Sequence, residues 1–176
     1  MGKIIFLTGG TRSGKSQLAV EMAKRISDKK VLFVATCVPE DNEMKKRIIL
    51  HKRNRPTYWK TIETKIDILK GLKDIKTDFE AVIIDCLTLF VSSLLMNSEG
   101  EKGVKKKMAD LIEFVSSAPY TTIIVSGEVG AGIAPENKLA REFRDLAGIA
   151  NQIAAKYADE VYFVVAGIPV KIKSED

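Results

Sequence analysis

Five short runs of consecutive apolar residues constrain this fold more than any other feature of the chain. They are rich in β-branched residues and apolar at adjacent positions, which indicates strands buried on both faces. Helical patterns separate them, so the sequence predicts an α/β domain with a mostly parallel central sheet flanked by helices. The predicted strands span residues 3–8, 31–36, 81–85, 121–126 and 160–165, and the sequence VKIK at 170–173 predicts a short final strand.

Between these strands, apolar residues recur at helical spacing. The predicted helices span Lys15–Ser27, Lys65–Lys73, Leu87–Met96, Val104–Ser117 and Glu136–Tyr157. Residues 97–103 (NSEGEKG) predict a polar linker, and the chain has no internal repeat, so we expect a single domain over residues 1–176. The last helix carries an apolar stripe that we expect to face the core, formed by Leu139, Phe143, Leu146, Ala150, Ile153 and Tyr157.

Composition limits the class of protein without choosing its function. With 45% hydrophobic and 29% charged residues, the chain can bury a core beneath a solvated surface. Since neither a membrane span nor a secretory leader is visible, we expect a cytoplasmic protein in which Cys37 and Cys86 remain thiols. A formal net charge of +5 suits a nucleic acid, a nucleotide or a phosphorylated metabolite, and charge alone does not choose among them.

The segment GGTRSGKS, residues 9–16, fits the phosphate-loop pattern G-x-x-x-x-G-K-[ST]. It follows the first predicted strand and opens the first predicted helix, where backbone N–H groups and the helix N-terminus can hold phosphate oxygens. Lys15 would contact the β- and γ-phosphates, while Ser16 and Asp85 would hold Mg²⁺. The sequence therefore predicts a P-loop nucleoside triphosphatase fold of the RecA-like type that binds a nucleotide.

A basic segment at residues 45–55 contains His51, the only histidine of the chain. Charge alone fits a solvated helix face, and less well a nucleic-acid surface, because stacking aromatic side chains are not interleaved with the cations. A third interpretation is chemical, since neighbouring cations keep an imidazole neutral and a neutral imidazole is a nucleophile toward phosphorus. The cations of this segment are Lys45, Lys46, Arg47, Lys52, Arg53 and Arg55.

Longer motifs resemble the bifunctional adenosylcobinamide kinase/adenosylcobinamide-phosphate guanylyltransferases of cobalamin biosynthesis. The phosphate loop is shared with many enzymes, whereas H-x-x-x-R-P-x-x-W-x-T-x-E, from His51 to Glu63, is far more specific. The segment EVGAGIAPEN, residues 128–137, is equally specific. The resemblance covers almost the whole chain.

The resemblance implies that His51 accepts GMP from GTP as a covalent phosphoramidate, with Lys15 as the second catalytic residue. It also implies Mg²⁺, GTP and ATP, a corrinoid substrate (adenosylcobinamide and its phosphate) rather than a nucleic acid, and a homotrimer. The implied nucleotide-binding residues are Gly9, Gly10, Thr11, Arg12, Ser13, Gly14, Lys15, Ser16, Ala35, Thr36, Cys37, Lys52, Arg53, Asn54, Arg55, Glu63 and Asp85.

The chain departs from the family pattern at Gly127, where asparagine is usual, and Asp85 is one methylene shorter than the glutamate of some members. Two other functions stay open from the residues alone. One is a phosphate-loop kinase for another small alcohol, in which His51 is a surface residue. The other is a nucleic-acid-stimulated ATPase, which the sequence pI of about 9.1 would suit.

Overall fold

The computed structural model describes residues 2–37, 55–75 and 78–174. These residues form seven strands and five helices that alternate along much of the chain. The elements, in chain order, are β1 Ile4–Gly9, α1 Lys15–Ile26, β2 Val31–Ala35, β3 Lys60–Glu63, α2 Ile68–Lys73, β4 Ala81–Asp85, α3 Leu87–Met96, α4 Glu101–Ser117, β5 Thr121–Gly127, α5 Lys138–Tyr157, β6 Glu160–Val165 and β7 Ile168–Lys173.

All seven strands belong to one sheet with the order β3-β2-β4-β5-β1-β6-β7. Strands β1 to β6 are all parallel to one another, and only β7, which pairs with β6, is antiparallel. Parallel neighbours place their carboxyl ends at the same edge of the sheet, so the ends of β1, β2, β4 and β5 all lie along that edge.

Helices cover both faces of the sheet, as consecutive apolar strand residues require. On one face, Ala19, Val20 and Ala23 of α1 pack with strand residues such as Phe33. On the other face, apolar residues of the remaining four helices pack with alternate strand residues such as Phe6. The predicted α/β class with a mostly parallel sheet flanked by helices is confirmed.

The five predicted strands lie within one residue of β1, β2, β4, β5 and β6. Strand β7 begins two residues earlier than VKIK, at Ile168. Sequence analysis missed β3, a four-residue edge strand with three exposed residues, because such a strand lacks the buried apolar run that revealed the others.

Several predicted helix boundaries were wrong. Helix α2 begins at Ile68 rather than Lys65, and α4 begins at Glu101, inside the predicted linker. The last helix begins at Lys138, because the side chain of Asn137 accepts the Ala140 N–H and caps it there. The ends of its predicted core stripe were also wrong, since Leu139 and Tyr157 are 49% and 53% exposed.

No helix in the described part of the chain combines the length and the apolar character that crossing a membrane requires. Cys37 and Cys86 are thiols that form no disulfide within the described residues, as expected.

A charged cluster joins the start of β6 to β7 and to Lys3, the residue before β1. The Glu160 carboxylate accepts hydrogen bonds from Lys3 at 2.7 Å and from the Tyr162 hydroxyl at 2.7 Å, and Lys171 of β7 lies 3.0 Å from it. These hydrogen bonds, led by that from Lys3, lower the pKa of Glu160 to about 2. The cluster therefore stabilises the fold only while this carboxylate is ionised.

We expect Glu160→Gln to lower the free energy of unfolding at pH 7 by roughly 1 to 2 kcal/mol, after allowance for the half-exposed lysines. Because folding depresses this pKa, the stabilisation is complete above about pH 4.5 and is lost as the pH falls toward 2. Urea unfolding at several pH values measures the effect, with the exposed Glu142→Gln as control. A difference between wild type and Glu160→Gln that stayed constant from pH 7 to pH 2.5 would contradict the assignment.

Candidate functional site

Two glycines of the phosphate loop, Gly9 and Gly14, combine a positive φ with a close backbone neighbour. Gly9 has φ +150°, and a Cβ there would lie 2.3 Å from the carbonyl oxygen of Val164 in β6. Gly14 has φ +98°, and a Cβ there would lie 3.3 Å from the Cα of Gly167. Helix α1 begins directly after Gly14, so its N-terminus opens toward the loop. Both glycines thus fix the curvature that a phosphate-binding loop needs.

Lys15, the first residue of α1, directs its ammonium group back onto the loop. It donates hydrogen bonds to the carbonyls of Gly9 at 2.9 Å and Gly10 at 2.6 Å. Burial lowers the pKa of Lys15, and the negative charge of Asp85 partly opposes that effect. This cation is therefore partly desolvated, held over the loop and electrostatically coupled to the end of β4.

Two carboxylates lie in register on the two strands that flank β2, at the same edge of the sheet. Ala35, the last residue of β2, is the Cα partner of both Glu63 in β3 and Asp85 in β4. The Thr36 hydroxyl then donates to the Cys86 carbonyl and accepts from the Cys86 N–H, each at 2.7 Å. The Thr36 side chain thus binds both polar groups of the Cys86 backbone and joins the end of β2 to the end of β4.

Arg55 is a second partly buried cation, and it lies within electrostatic range of Glu63 and Asp85. Its guanidinium lies over the Phe33 ring at 4.4 Å from the centroid, on the sheet face that α1 covers. Burial lowers the pKa of Arg55, and the negative charges of Glu63 and Asp85 partly oppose that effect. Asp85 therefore acts electrostatically on both Lys15 and Arg55.

A buried tryptophan anchors the segment that carries Arg55. Trp59 is only 4% exposed, and its indole Nε1 donates to the Asp28 carbonyl at 2.7 Å. The Tyr58 hydroxyl donates to the Asp28 carboxylate at 2.6 Å. The loop after α1 thus holds the start of the segment that leads through β3 to Glu63.

The oxygen donors at this edge fit a hard divalent cation. Ser16 supplies a hydroxyl at the start of α1, and Asp85 supplies a carboxylate within electrostatic range of Lys15. Hydroxyl, carboxylate and phosphate oxygens are the ligands that Mg²⁺ prefers. Ser16 and Asp85 are therefore the residues that would hold Mg²⁺ together with a bound nucleotide.

Comparison with known proteins identifies the family of this chain. The pattern of the family described as cobinamide kinase / cobinamide phosphate guanyltransferase matches residues 5–172. The chain belongs to this family. It is 41% identical over 185 residues to the bifunctional adenosylcobalamin biosynthesis protein CobU of Salmonella typhimurium, covering 97% of this chain and 99% of that protein.

Two further members of the family extend the comparison. The Escherichia coli CobU is 37% identical, covering 97% of this chain and 99% of its own length. The bifunctional adenosylcobalamin biosynthesis protein CobP of Pseudomonas aeruginosa is 35% identical, covering 96% of each chain. Both resemblances span nearly the full length of the proteins compared.

A solved structure shows the same fold at much lower sequence identity. The flagellar accessory protein FlaH of Methanocaldococcus jannaschii aligns with a TM-score of 0.57 and 14% identity, covering 98% of this chain and 79% of that protein. At this identity the likeness concerns the fold alone.

The described structure brings together much of the site expected for a member of this family. The phosphate loop, the end of β2, Arg55, Glu63 and Asp85 all lie at the carboxyl edge of the sheet. The predicted residues His51, Lys52, Arg53 and Asn54 lie outside the described residues.

Gly127, where the chain departs from the family pattern, lies beside Gly9 as its Cα partner at the end of β5. A Cβ at Gly127 would lie 3.0 Å from the hydroxyl oxygen of Thr88, in α3. An asparagine would therefore require the Thr88 side chain to move. In this chain that hydroxyl instead accepts the Gly127 N–H.

Sequence analysis missed two backbone contacts that support the phosphate loop. The Glu128 N–H donates to the Gly9 carbonyl at 2.8 Å, and the Gly167 N–H donates to the Ser13 carbonyl at 2.9 Å. The motif EVG marked the first segment as characteristic of the family, but the pattern did not indicate what its backbone contacts. For Gly167, the dipeptide Ala-Gly between two strands was the only available signal.

We expect Lys15→Ala to abolish both kinase and guanylyltransferase activity while the fold remains intact, because the change removes a phosphate contact and no core volume. The loss of transition-state stabilisation is expected to be on the order of 2 to 4 kcal/mol. Steady-state kinetics and circular dichroism measure the two effects, with the exposed Lys24→Ala in the same helix as control. Kinase turnover at the wild-type rate would contradict the role of the phosphate loop.

Proposed function

We propose that this enzyme phosphorylates the hydroxyl of the aminopropanol arm of adenosylcobinamide and then converts the phosphate to adenosylcobinamide-GDP through a guanylylated His51. The observation that carries the proposal is the convergence of Lys15, Arg55, Glu63 and Asp85 at one sheet edge beside the phosphate loop. Membership of the family over residues 5–172 supports the two activities.

In the kinase step, the acceptor hydroxyl attacks the γ-phosphorus of a nucleoside triphosphate and displaces the nucleoside diphosphate. The chain needs to position the phosphates and stabilise their charge. Backbone N–H groups of residues 9–16 and the Lys15 ammonium perform these functions, and Ser16 and Asp85 would hold Mg²⁺. When bound, Mg²⁺ neutralises charge on the β- and γ-phosphate oxygens.

In the guanylyltransferase step, an imidazole nitrogen of His51 attacks the α-phosphorus of GTP. A phosphorus–nitrogen bond forms, the bond from the α-phosphorus to the bridging oxygen breaks, and pyrophosphate leaves. A phosphate oxygen of adenosylcobinamide phosphate then attacks the same phosphorus, and the imidazole is released. Dividing the transfer in this way lets one site accept two bulky substrates in turn.

Arg55 supports this assignment because it lies four residues after His51 in the sequence. Its positive charge is partly desolvated, and the neighbouring carboxylates compensate for that only in part. Its guanidinium is partly buried on Phe33, and among the described residues its Nη1 has no hydrogen-bond partner. A buried cationic donor of this kind is well suited to a phosphate oxygen. We propose that it binds the nucleotide whose α-phosphorus His51 attacks.

We further propose that the enzyme assembles as a homotrimer. Strand β7 is the edge of the sheet, and all six of its residues are exposed. Ile168, Val170 and Ile172 are 66%, 49% and 61% exposed, and Val165, the Cα partner of Ile168, is 49% exposed. An exposed apolar edge of this kind is suited to contact with another subunit.

Glu63 is proposed to recognise guanine, because a carboxylate can accept from the N1–H and the exocyclic amino group of that base. We expect Glu63→Gln to weaken GTP binding more than ATP binding, since one carboxylate acceptor becomes an amide donor. Calorimetric titration of both nucleotides gives the ratio of affinities, and the exposed Glu142→Gln is the control. An unchanged ratio would remove Glu63 from the guanine site.

The sharpest prediction concerns His51→Ala. This variant is expected to form no covalent adduct with α-labelled GTP and to transfer no GMP, yet to retain phosphorylation of adenosylcobinamide at least in part. Phosphoryl transfer to an alcohol requires the phosphate loop and the metal, whereas a phosphoramidate requires a nitrogen nucleophile. Intact mass after incubation with GTP and Mg²⁺ measures the adduct directly.

The chemistry of the bond identifies the nucleophile. A histidine phosphoramidate is labile to acid and hydroxylamine and stable to base, which separates it from a serine ester or a carboxyl-linked adduct. Lysine also forms acid-labile phosphoramidates, so peptide mapping must distinguish His51 from Lys45, Lys46 and Lys52. Retention of the GMP label in His51→Ala would exclude the histidine mechanism and leave a kinase with a lysine nucleophile to consider.

A further inference from the structure

Gly127 at the end of β5 is held from both sides by side chains of two different helices. Its N–H donates to the Thr88 hydroxyl, in the first turn of α3, and its carbonyl accepts from Asn151 Nδ2, in α5, at 3.1 Å. The Thr88 hydroxyl also lies 3.2 Å from the Ser126 hydroxyl. Both polar groups of one peptide residue are thus fixed by side chains rather than by a neighbouring strand.

The residue after Gly127 continues this arrangement into the phosphate loop. The Glu128 N–H donates to the Gly9 carbonyl at 2.8 Å. The same carbonyl accepts from the Lys15 ammonium at 2.9 Å. An unbroken series of contacts therefore leads from Thr88 and Asn151, through Gly127 and Glu128, to the oxygen that holds Lys15.

The contact with Gly127 uses only one of the two polar atoms of the Asn151 amide. Its Oδ1 is buried and, within the described part of the chain, has no hydrogen-bond partner. A buried polar atom left unpaired costs stability, and a smaller apolar residue on α5 would avoid it. The only hydrogen bond described for the Asn151 side chain is the one to Gly127, which points to a function for that contact beyond stability.

We propose that Thr88 and Asn151 are positioning residues that fix the Gly9 carbonyl and thereby place the Lys15 ammonium for the nucleotide phosphates. The proposal rests on the proposed role of Lys15 in phosphate binding. Neither residue needs to touch the nucleotide, because both act through the backbone of Gly127 and Glu128.

A double-mutant cycle on nucleotide affinity tests this directly, with the magnesium complex of β,γ-imido-GTP as the probe. Thr88→Val and Asn151→Ala are each expected to weaken binding about fivefold in the wild-type background and less than about twofold in Lys15→Ala, as coupled residues do. Thr88→Ser restores the hydroxyl and is expected to bind within about twofold of wild type. The matched control is Gln152→Ala, an exposed neighbour of Asn151 in α5.

Thermal unfolding separates positioning from stability. Because Asn151→Ala removes the unpaired Oδ1 together with the hydrogen bond to the Gly127 carbonyl, we expect the two effects on stability largely to offset, so that the variant melts near the wild-type temperature while it binds the nucleotide more weakly. A merely structural role would lower the melting temperature and the affinity together. If Thr88→Val does not fold, the Asn151→Ala cycle and the Thr88→Ser variant decide the question.

The outcomes distinguish the proposal from the function on which it rests. Wild-type affinity in Lys15→Ala would overturn the role of the phosphate lysine, and the positioning role with it. Weak binding by Lys15→Ala, together with equal losses from Asn151→Ala in both backgrounds, would overturn the positioning role alone. Wild-type affinity in both Thr88→Val and Asn151→Ala would do the same.

Discussion

The close approach of Gly9 to the backbone of β6 sets the position of the phosphate loop and of everything that contacts it. A Cβ on Gly9 would lie 2.3 Å from the Val164 carbonyl oxygen, a separation that real side chains do not reach. Because Gly9 ends a central strand that pairs with β5 and β6, its carbonyl faces the residue that follows β5. That carbonyl accepts from both Lys15 and Glu128, so the position of the lysine depends on the end of β5 as well as on β1.

The negative charge of Asp85 links Lys15 of the phosphate loop to Arg55, which follows His51 in the sequence. Burial lowers the pKa of both Lys15 and Arg55, and Asp85 opposes the shift of each. Asp85 thus serves two partly desolvated cations that come from distant parts of the sequence. Anionic phosphates would supply the compensation that burial has removed from these cations, which is a physical reason for this edge to attract a nucleotide.

The sequence was most informative where local chemistry and tertiary structure require the same residues. Buried parallel strands need consecutive apolar residues, and the phosphate loop needs glycines before a lysine, so both could be predicted from the chain alone. Strand β3 could not, because Lys60 and Thr61 are exposed and the strand therefore lacks a buried apolar run. The hydrogen bonds that join Gly127 to Thr88 and Asn151, and Glu128 to Gly9, could not be predicted either. Such contacts leave no periodic pattern in the sequence.

The turn between β6 and β7 connects the phosphate loop to the outer edge of the sheet. Ala166 and Gly167 both have positive φ, 50° and 83°, which matches the tight turn that joins two antiparallel strands. Alanine in this conformation costs about 1 kcal/mol or more, and a glycine would avoid that cost. The turn donates the Gly167 N–H to the Ser13 carbonyl and packs its Cα against Gly14. The strand that presents exposed Ile168, Val170 and Ile172 is thus joined directly to the phosphate loop, so a subunit that covered this edge would also restrain the loop.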